Sequence, residues 1–212
     1  MDQTRENIFL FVPNLIGYAR IVLALISFYY MPFDYIRATF CYLLSGFLDA
    51  FDGYAARFLN QSTKFGAILD QLTDRCALLI LLTVLCGFYP KYAILFQLSM
   101  VIDISSHWIH VWASMMQGKT SHKFVDPSAN PVLKLYYTSR PVLFTFCAAN
   151  ELFYAGLYLL HFTQSPVIRA ITIVSAPISI IKTGISIIQL VSACINVGIV
   201  DVAERQDVRK DK

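Results

Sequence analysis

With 212 residues, 57% of them hydrophobic and only 15% charged, the chain is too apolar for a soluble domain of ordinary composition. Its formal net charge of +3 is too small to argue for nucleic acid, and a mean hydropathy of +0.57 reads as an all-α integral membrane protein. The cysteines Cys41, Cys76, Cys86, Cys147 and Cys194 all lie in apolar runs without a CxxC pair, so they read as small buried hydrophobes, not as a disulfide or zinc framework.

The N-terminus, MDQTRENIF, is polar and mixed in charge, and the apolar run after it lacks a cleavage site, so that run is expected to be retained. Six segments reach the roughly 20 residues a helix needs to cross a bilayer. The first covers about 12–31 and holds Arg20 in mid-span. The second, about 36–57, ends in Asp49 and Asp52, and the third, about 67–89, begins with Asp70 and Asp74. The fourth, about 92–116, carries Asp103, His107 and His110 on one face. A polar interval, 117–140, separates it from the fifth, about 141–162, which holds Asn150 and Glu151. The sixth, about 170–200, includes Pro177 and Lys182, and a charged, mobile tail occupies about 201–212. Backbone in lipid must satisfy its own hydrogen bonds, and these runs are too long for barrel strands, so the expectation is a six-transmembrane-helix bundle in one domain, 1–212.

Orientation follows from the basic residues of the loops. Six spans put both termini on one side with the 58–66 and 117–140 loops. That side holds eleven Lys and Arg, against Arg37, Lys91 and Arg169 on the other, so it is expected to face the cytosol. The sequon Asn60-Gln61-Ser62 lies there and should stay unmodified.

The chemistry is concentrated in residues 49–74, DAFDGYAARFLNQSTKFGAILDQLTD. Asp49 with Asp52 and Asp70 with Asp74 lie at i,i+3 and i,i+4, so each pair presents two carboxylates on one helix face. Carboxylates joined to membrane-length apolar runs need a partner. Four such charges match two divalent cations, and Mg²⁺ favours carboxylate oxygens beside substrate phosphates. Gly53 and Gly66 give a headgroup room at the backbone. Arg57 can fork onto a phosphate, and Thr63 and Lys64 can meet another phosphate oxygen. An ion-pair network of the four aspartates with Arg57, Lys64 and Arg75 is the other reading, but it falls one cation short and explains neither glycine.

The order D-x2-D-G-x2-A-R-x8-G-x3-D-x3-D is met by Asp49, Asp52, Gly53, Ala56, Arg57, Gly66, Asp70 and Asp74. It resembles the signature of the CDP-alcohol phosphatidyltransferase family. ENIFLFVPNLIGYAR, YLLSGFLDAFDGYAAR, DQLTDR, SHWIH, NPVLKLYYTSRP and NELFY further resemble the inositol-using eukaryotic branch of that family. The resemblance implies a six-helix, usually dimeric membrane enzyme, expected in the endoplasmic reticulum. It would pass a phosphatidyl group from CDP-diacylglycerol to myo-inositol and release CMP. It implies two Mg²⁺ or Mn²⁺ ions held by Asp49, Asp52, Asp70 and Asp74. It also implies CDP-diacylglycerol contacts from Gly53, Arg57 and Thr63, with Asp74 as the proton acceptor. Membrane lipid and a second copy of the chain are the expected partners.

Other acceptors, glycerol 3-phosphate or serine, share the signature, and choline would come with a different donor lipid. An intramembrane prenyltransferase would set its acidic motifs farther apart in a larger bundle. A cation transporter would spread its acids along several spans. Outside the signature three readings stay open for Asp103, His107 and His110: a further metal site, a hydrogen-bond network between spans, or the lining of a polyol cavity. Glu151 is either functional or a protonated structural donor, and Arg140 either lines the acceptor pocket or anchors its span.

Overall fold

The computed structural model describes residues 7–116 and 130–210, and within them every regular element is helical. Seven α-helices follow in order: α1 (Val12–Tyr30), α2 (Tyr35–Phe58), α3 (Lys64–Phe88), α4 (Ala93–Met116), α5 (Pro131–Thr138), α6 (Arg140–Phe162) and α7 (Pro166–Lys210). Five stretches are long and apolar enough to cross a membrane: α1, α3, Pro90–Met116, α6 and Pro166–Val202. The second expected span, α2, has 24 residues, but Arg37, Asp49, Asp52 and Arg57 hold down its apolarity, and it is not among the five.

The boundaries have local causes. Asp34 caps α2, its side chain accepting from the Arg37 amide at 3.1 Å. Pro131 and Pro141 open α5 and α6, where a missing N–H is harmless, and Asn130 caps α5 by accepting from the Val132 and Leu133 amides. The α2 C-terminus closes in a Schellman turn: Gln61 N–H donates to Ala56 O at 2.9 Å and Asn60 N–H to Arg57 O at 3.5 Å. Asn60 supplies the required left-handed backbone, φ 54°.

Two segment boundaries also change. The interval 117–140 contains helix α5, while its 117–129 portion, with Lys119 and Lys123, lies outside the described residues, as do Arg5 and Lys212. The tail does not leave the helix at 201. With no Gly or Pro after Gly198, α7 continues to Lys210.

The chain forms two compact units, 1–84 and 85–212. In the first, α1 and α2 pack closely through small polar residues. Ser27 Oγ donates to Ala38 O at 2.8 Å, and Ser45 Oγ to Arg20 O at 3.0 Å. In the second, α4, α6 and α7 pack together, with α5 laid on α6 and α7 through Leu133 and Tyr136 against Ile185. Gly156 lets α6 approach α7, since a Cβ there would collide with the Thr172 hydroxyl. Both units bury polar side chains among apolar ones, such as Leu81, Leu82 and Leu133, and expose large apolar side chains. Arg20, Asn14, Ser27, Ser106 and Ser179 are among the most completely buried side chains, whereas Phe40, Phe144 and Ile180 are exposed. A soluble protein shows the reverse, so this is an integral membrane protein. All five cysteines are free, and Cys76 and Cys194 stand on the apolar exterior and not inside it as expected.

Candidate active site

The two aspartate pairs come together. Asp49 and Asp52 occupy the last turns of α2, Asp70 and Asp74 the first turns of α3, and all four turn toward one side chain of α1. Arg20, 1% exposed, places Nη1 2.7 Å from Asp49 Oδ1, 2.7 Å from Asp52 Oδ2 and 2.8 Å from Asp70 Oδ1. Its Nη2 lies 2.6 Å from Asp74 Oδ1. Of the cations considered from the sequence as partners, Arg75 reaches only 3.8 Å from Asp74 Oδ2. The cation that meets all four carboxylates therefore comes from outside the 49–74 stretch.

The arrangement is anionic and crowded. A guanidinium Nη carries two hydrogens. Those of Nη1 go to Asp52 and Asp70, while Asp49 meets its charge without a hydrogen bond among those resolved. One positive charge faces four carboxyl groups, so the cluster holds more acid than its resident cation can balance. Asp49, Asp70 and Asp74 each offer an oxygen within 4.8 Å of the others, a spacing and an all-oxygen donor set that suit a hard divalent cation. Asp52 is the most enclosed of the four, and Asp49 has the most open side chain.

Beside the carboxylates is a cleft of about 160 Å³ within the first unit. Asp52, Gly53, Ala56 and Arg57 line it from α2, and Gly66, Ala67, Leu69 and Asp70 from α3. Gln61, Ser62 and Thr63 line it from the connecting loop. The three residues expected to contact substrate, Gly53, Arg57 and Thr63, thus share one cavity with two of the aspartates. Thr63 caps α3, its hydroxyl accepting from the Gly66 amide at 2.9 Å. A Cβ on Gly66 would come 2.8 Å from Asn14 Oδ1 and 3.2 Å from Thr63 Oγ1, so a larger residue there would displace the Asn14 side chain at the cleft floor. A Cβ on Gly53 would come 3.4 Å from the Arg57 guanidinium, which lies across the helix over this glycine.

Helix α1 contributes more than the sequence reading assigned it. Pro13, Asn14 and Gly17 also line the cleft, and Gln61 Oε1 accepts from the Val12 amide at 3.0 Å, fastening the loop to the start of α1. A polar Asn14 and a charged Arg20 inside an apolar span were the available signal.

The polar residues of the second unit form a separate arrangement. Asp103 Oδ1 lies 3.4 Å from Lys182 Nζ, and His107 Nδ1 is 2.7 Å from the Asp103 carbonyl. Ser179 Oγ donates to Asn150 Oδ1 at 2.9 Å, Tyr154 OH to Ser99 Oγ at 3.1 Å, and His110 stacks on Tyr137. The Asp103–Lys182, Ser179–Asn150 and Tyr154–Ser99 contacts tie α4, α6 and α7 together and place Asp103 in a network between spans, while the His107–Asp103 carbonyl contact lies within α4 and the His110–Tyr137 stack reaches α5. Arg140 is exposed at the first position of α6, and Glu151 is half-buried.

A family model described as CDP-alcohol phosphatidyltransferase matches residues 10–181. The CDP-diacylglycerol–inositol 3-phosphatidyltransferase of Mus musculus is 56% identical over 206 residues, covering 94% of this chain and 97% of that protein. The protein of the same name from Drosophila melanogaster is 48% identical, covering 97% of this chain and 92% of its own. That from Saccharomyces cerevisiae is 44% identical, covering 91% and 88%. No solved structure matches.

Proposed function

The chain belongs to the CDP-alcohol phosphatidyltransferase family, and from that premise we infer that it transfers a phosphatidyl group from CDP-diacylglycerol to myo-inositol, yielding phosphatidylinositol and CMP. The observation that carries this reading is the convergence of four signature carboxylates beside a cleft lined by the signature glycines and Arg57. Near-full-length likeness to inositol-using relatives selects the acceptor.

We assign Asp49, Asp52, Asp70 and Asp74 as ligands of two Mg²⁺ or Mn²⁺ ions. When bound, such ions polarise the diphosphate oxygens and stabilise departing CMP. The chain's own residues do the rest. Gly53 admits the diphosphate to the backbone, Gly66 lets Asn14 and Thr63 close the cleft floor, Arg57 neutralises a phosphate oxygen, and the Thr63 hydroxyl donates to another. Asp74 takes the proton of the attacking hydroxyl, which a neutral polyol must lose to become an effective nucleophile. That assignment requires one Asp74 oxygen to stay uncommitted. It is supported by Oδ2, which stands 3.8 Å from Arg75, too far for a hydrogen bond, while Oδ1 accepts from Arg20.

The reading extends to one membrane domain with α2 as a sixth span, since 24 residues rise about 36 Å against a core of about 30 Å. It includes a homodimer in the endoplasmic reticulum, with the site and both termini cytosolic. The excess of Lys and Arg on the side of the 58–66 loop supports that orientation. The test is purified protein in detergent with CDP-diacylglycerol and a panel of alcohols, following CMP. Release that needs inositol and stops with EDTA is expected. Release with glycerol 3-phosphate alone overturns the acceptor assignment.

A further inference from the structure

We propose that Arg20 is the resident counter-cation of the acidic site: its guanidinium holds the four aspartates together until a divalent ion loads, and it then yields its place among them. The proposal rests on the reading of those aspartates as metal ligands. It concerns a residue that the signature does not contain.

Three observations carry it. First, the same oxygens are contested. Arg20 nitrogens lie 2.6–2.8 Å from one oxygen of every aspartate, three of which form the group able to hold a metal. Mg²⁺ binds oxygens at about 2.0–2.1 Å. A guanidinium nitrogen and a metal ion, both positive, do not share the centre of so small a group of oxygens. Second, the seat is poorly shaped for a guanidinium. A structural arginine meets carboxylates as a two-pronged fork. Here three carboxylates crowd one nitrogen, and Arg20 Nε is buried without a hydrogen-bond partner. Third, the charges sum correctly for an exchange. With Arg20 alone four carboxyl groups share one guanidinium, and without a cation they could not all be ionised side by side on two neighbouring helices. With two divalent ions the aspartates are already neutralised, and the arginine's charge is no longer needed to hold them.

A purely structural arginine and a counter-cation differ in their response to metal. If Arg20 only braces the fold, its loss lowers the melting temperature equally with and without metal. If it stands in for the ion, its loss destabilises the metal-free protein alone and tightens metal binding, because a competitor has gone. The experiment measures free Mn²⁺ by electron paramagnetic resonance, and thermal unfolding with Mn²⁺ or EDTA, on purified protein in detergent without substrate. Arg20→Met is expected to bind Mn²⁺ at least about 10-fold tighter than wild type. Its melting temperature should fall in EDTA and return close to the wild-type value in saturating Mn²⁺. Arg20→Lys keeps a charge but not the span needed to reach four carboxylates, and it should shift affinity in the same direction by about 3-fold. Weaker or unchanged Mn²⁺ binding in either variant overturns the proposal, as does an Arg20→Met protein that fails to fold even with Mn²⁺ present. Wild-type protein that leaves all Mn²⁺ free overturns the metal reading instead.

Discussion

The two halves of the chain each bury charge inside apolar helices, but they balance it differently. In the second unit one aspartate, Asp103, faces one lysine, Lys182, with Ser and Asn hydroxyls and amides completing the network. In the first, four aspartates face one arginine. A balanced pair is satisfied by the fold and has nothing further to bind. An unbalanced cluster keeps like charges together against their repulsion, which is how a site poised for a cation differs from a packing device.

This contrast fails if removing charge from the two regions has the same consequence. The largest effect is expected from Asp70→Asn. It should lower inositol-dependent CMP release by at least about 100-fold, while the melting temperature in EDTA holds or rises because a repulsive charge has gone. Loss of both activity and stability would make the cluster a packing element after all. Next comes Lys182→Met, which leaves buried Asp103 with His107, 3.7 Å away, in place of its lysine. It should cost about 3–5 kcal/mol of stability, measured by unfolding in detergent, and Asp103→Leu added to it should recover most of that loss. CMP release per folded molecule should stay within about threefold of wild type, and a larger fall would draw the second unit into the site. The smallest effect is at the turn joining the two aspartate pairs. Asn60→Gly should be neutral within about 0.5 kcal/mol and Asn60→Val destabilising by about 1–2 kcal/mol, because only the latter opposes a positive φ.

The gathering of the aspartates was legible because helical spacing is local: i,i+3 and i,i+4 fix which carboxylates share a face, and a short loop brings the faces together. Arg20 was visible as a misplaced charge, but its partners lie on other helices. No spacing rule connects a residue of α1 to the end of α2 and the start of α3. The same holds for Lys182 and Asp103, far apart in the chain and joined only by packing of α4 on α7. Helix α5 was signalled by Asn130-Pro131, a cap followed by a first-turn proline. It was hidden in an interval too polar to read as a span. The tail was misread for the opposite reason: charge suggested departure from the helix, although none of its residues opposes one.

Helix α7 is 45 residues long, a contour of about 68 Å against a hydrocarbon core of about 30 Å. The helix is too long to lie within that core along its normal, and the charged final turns continue it as helix, not as loose chain. Each helical turn of sequence inserted or removed there would change the length of that emerging segment by about 5.4 Å.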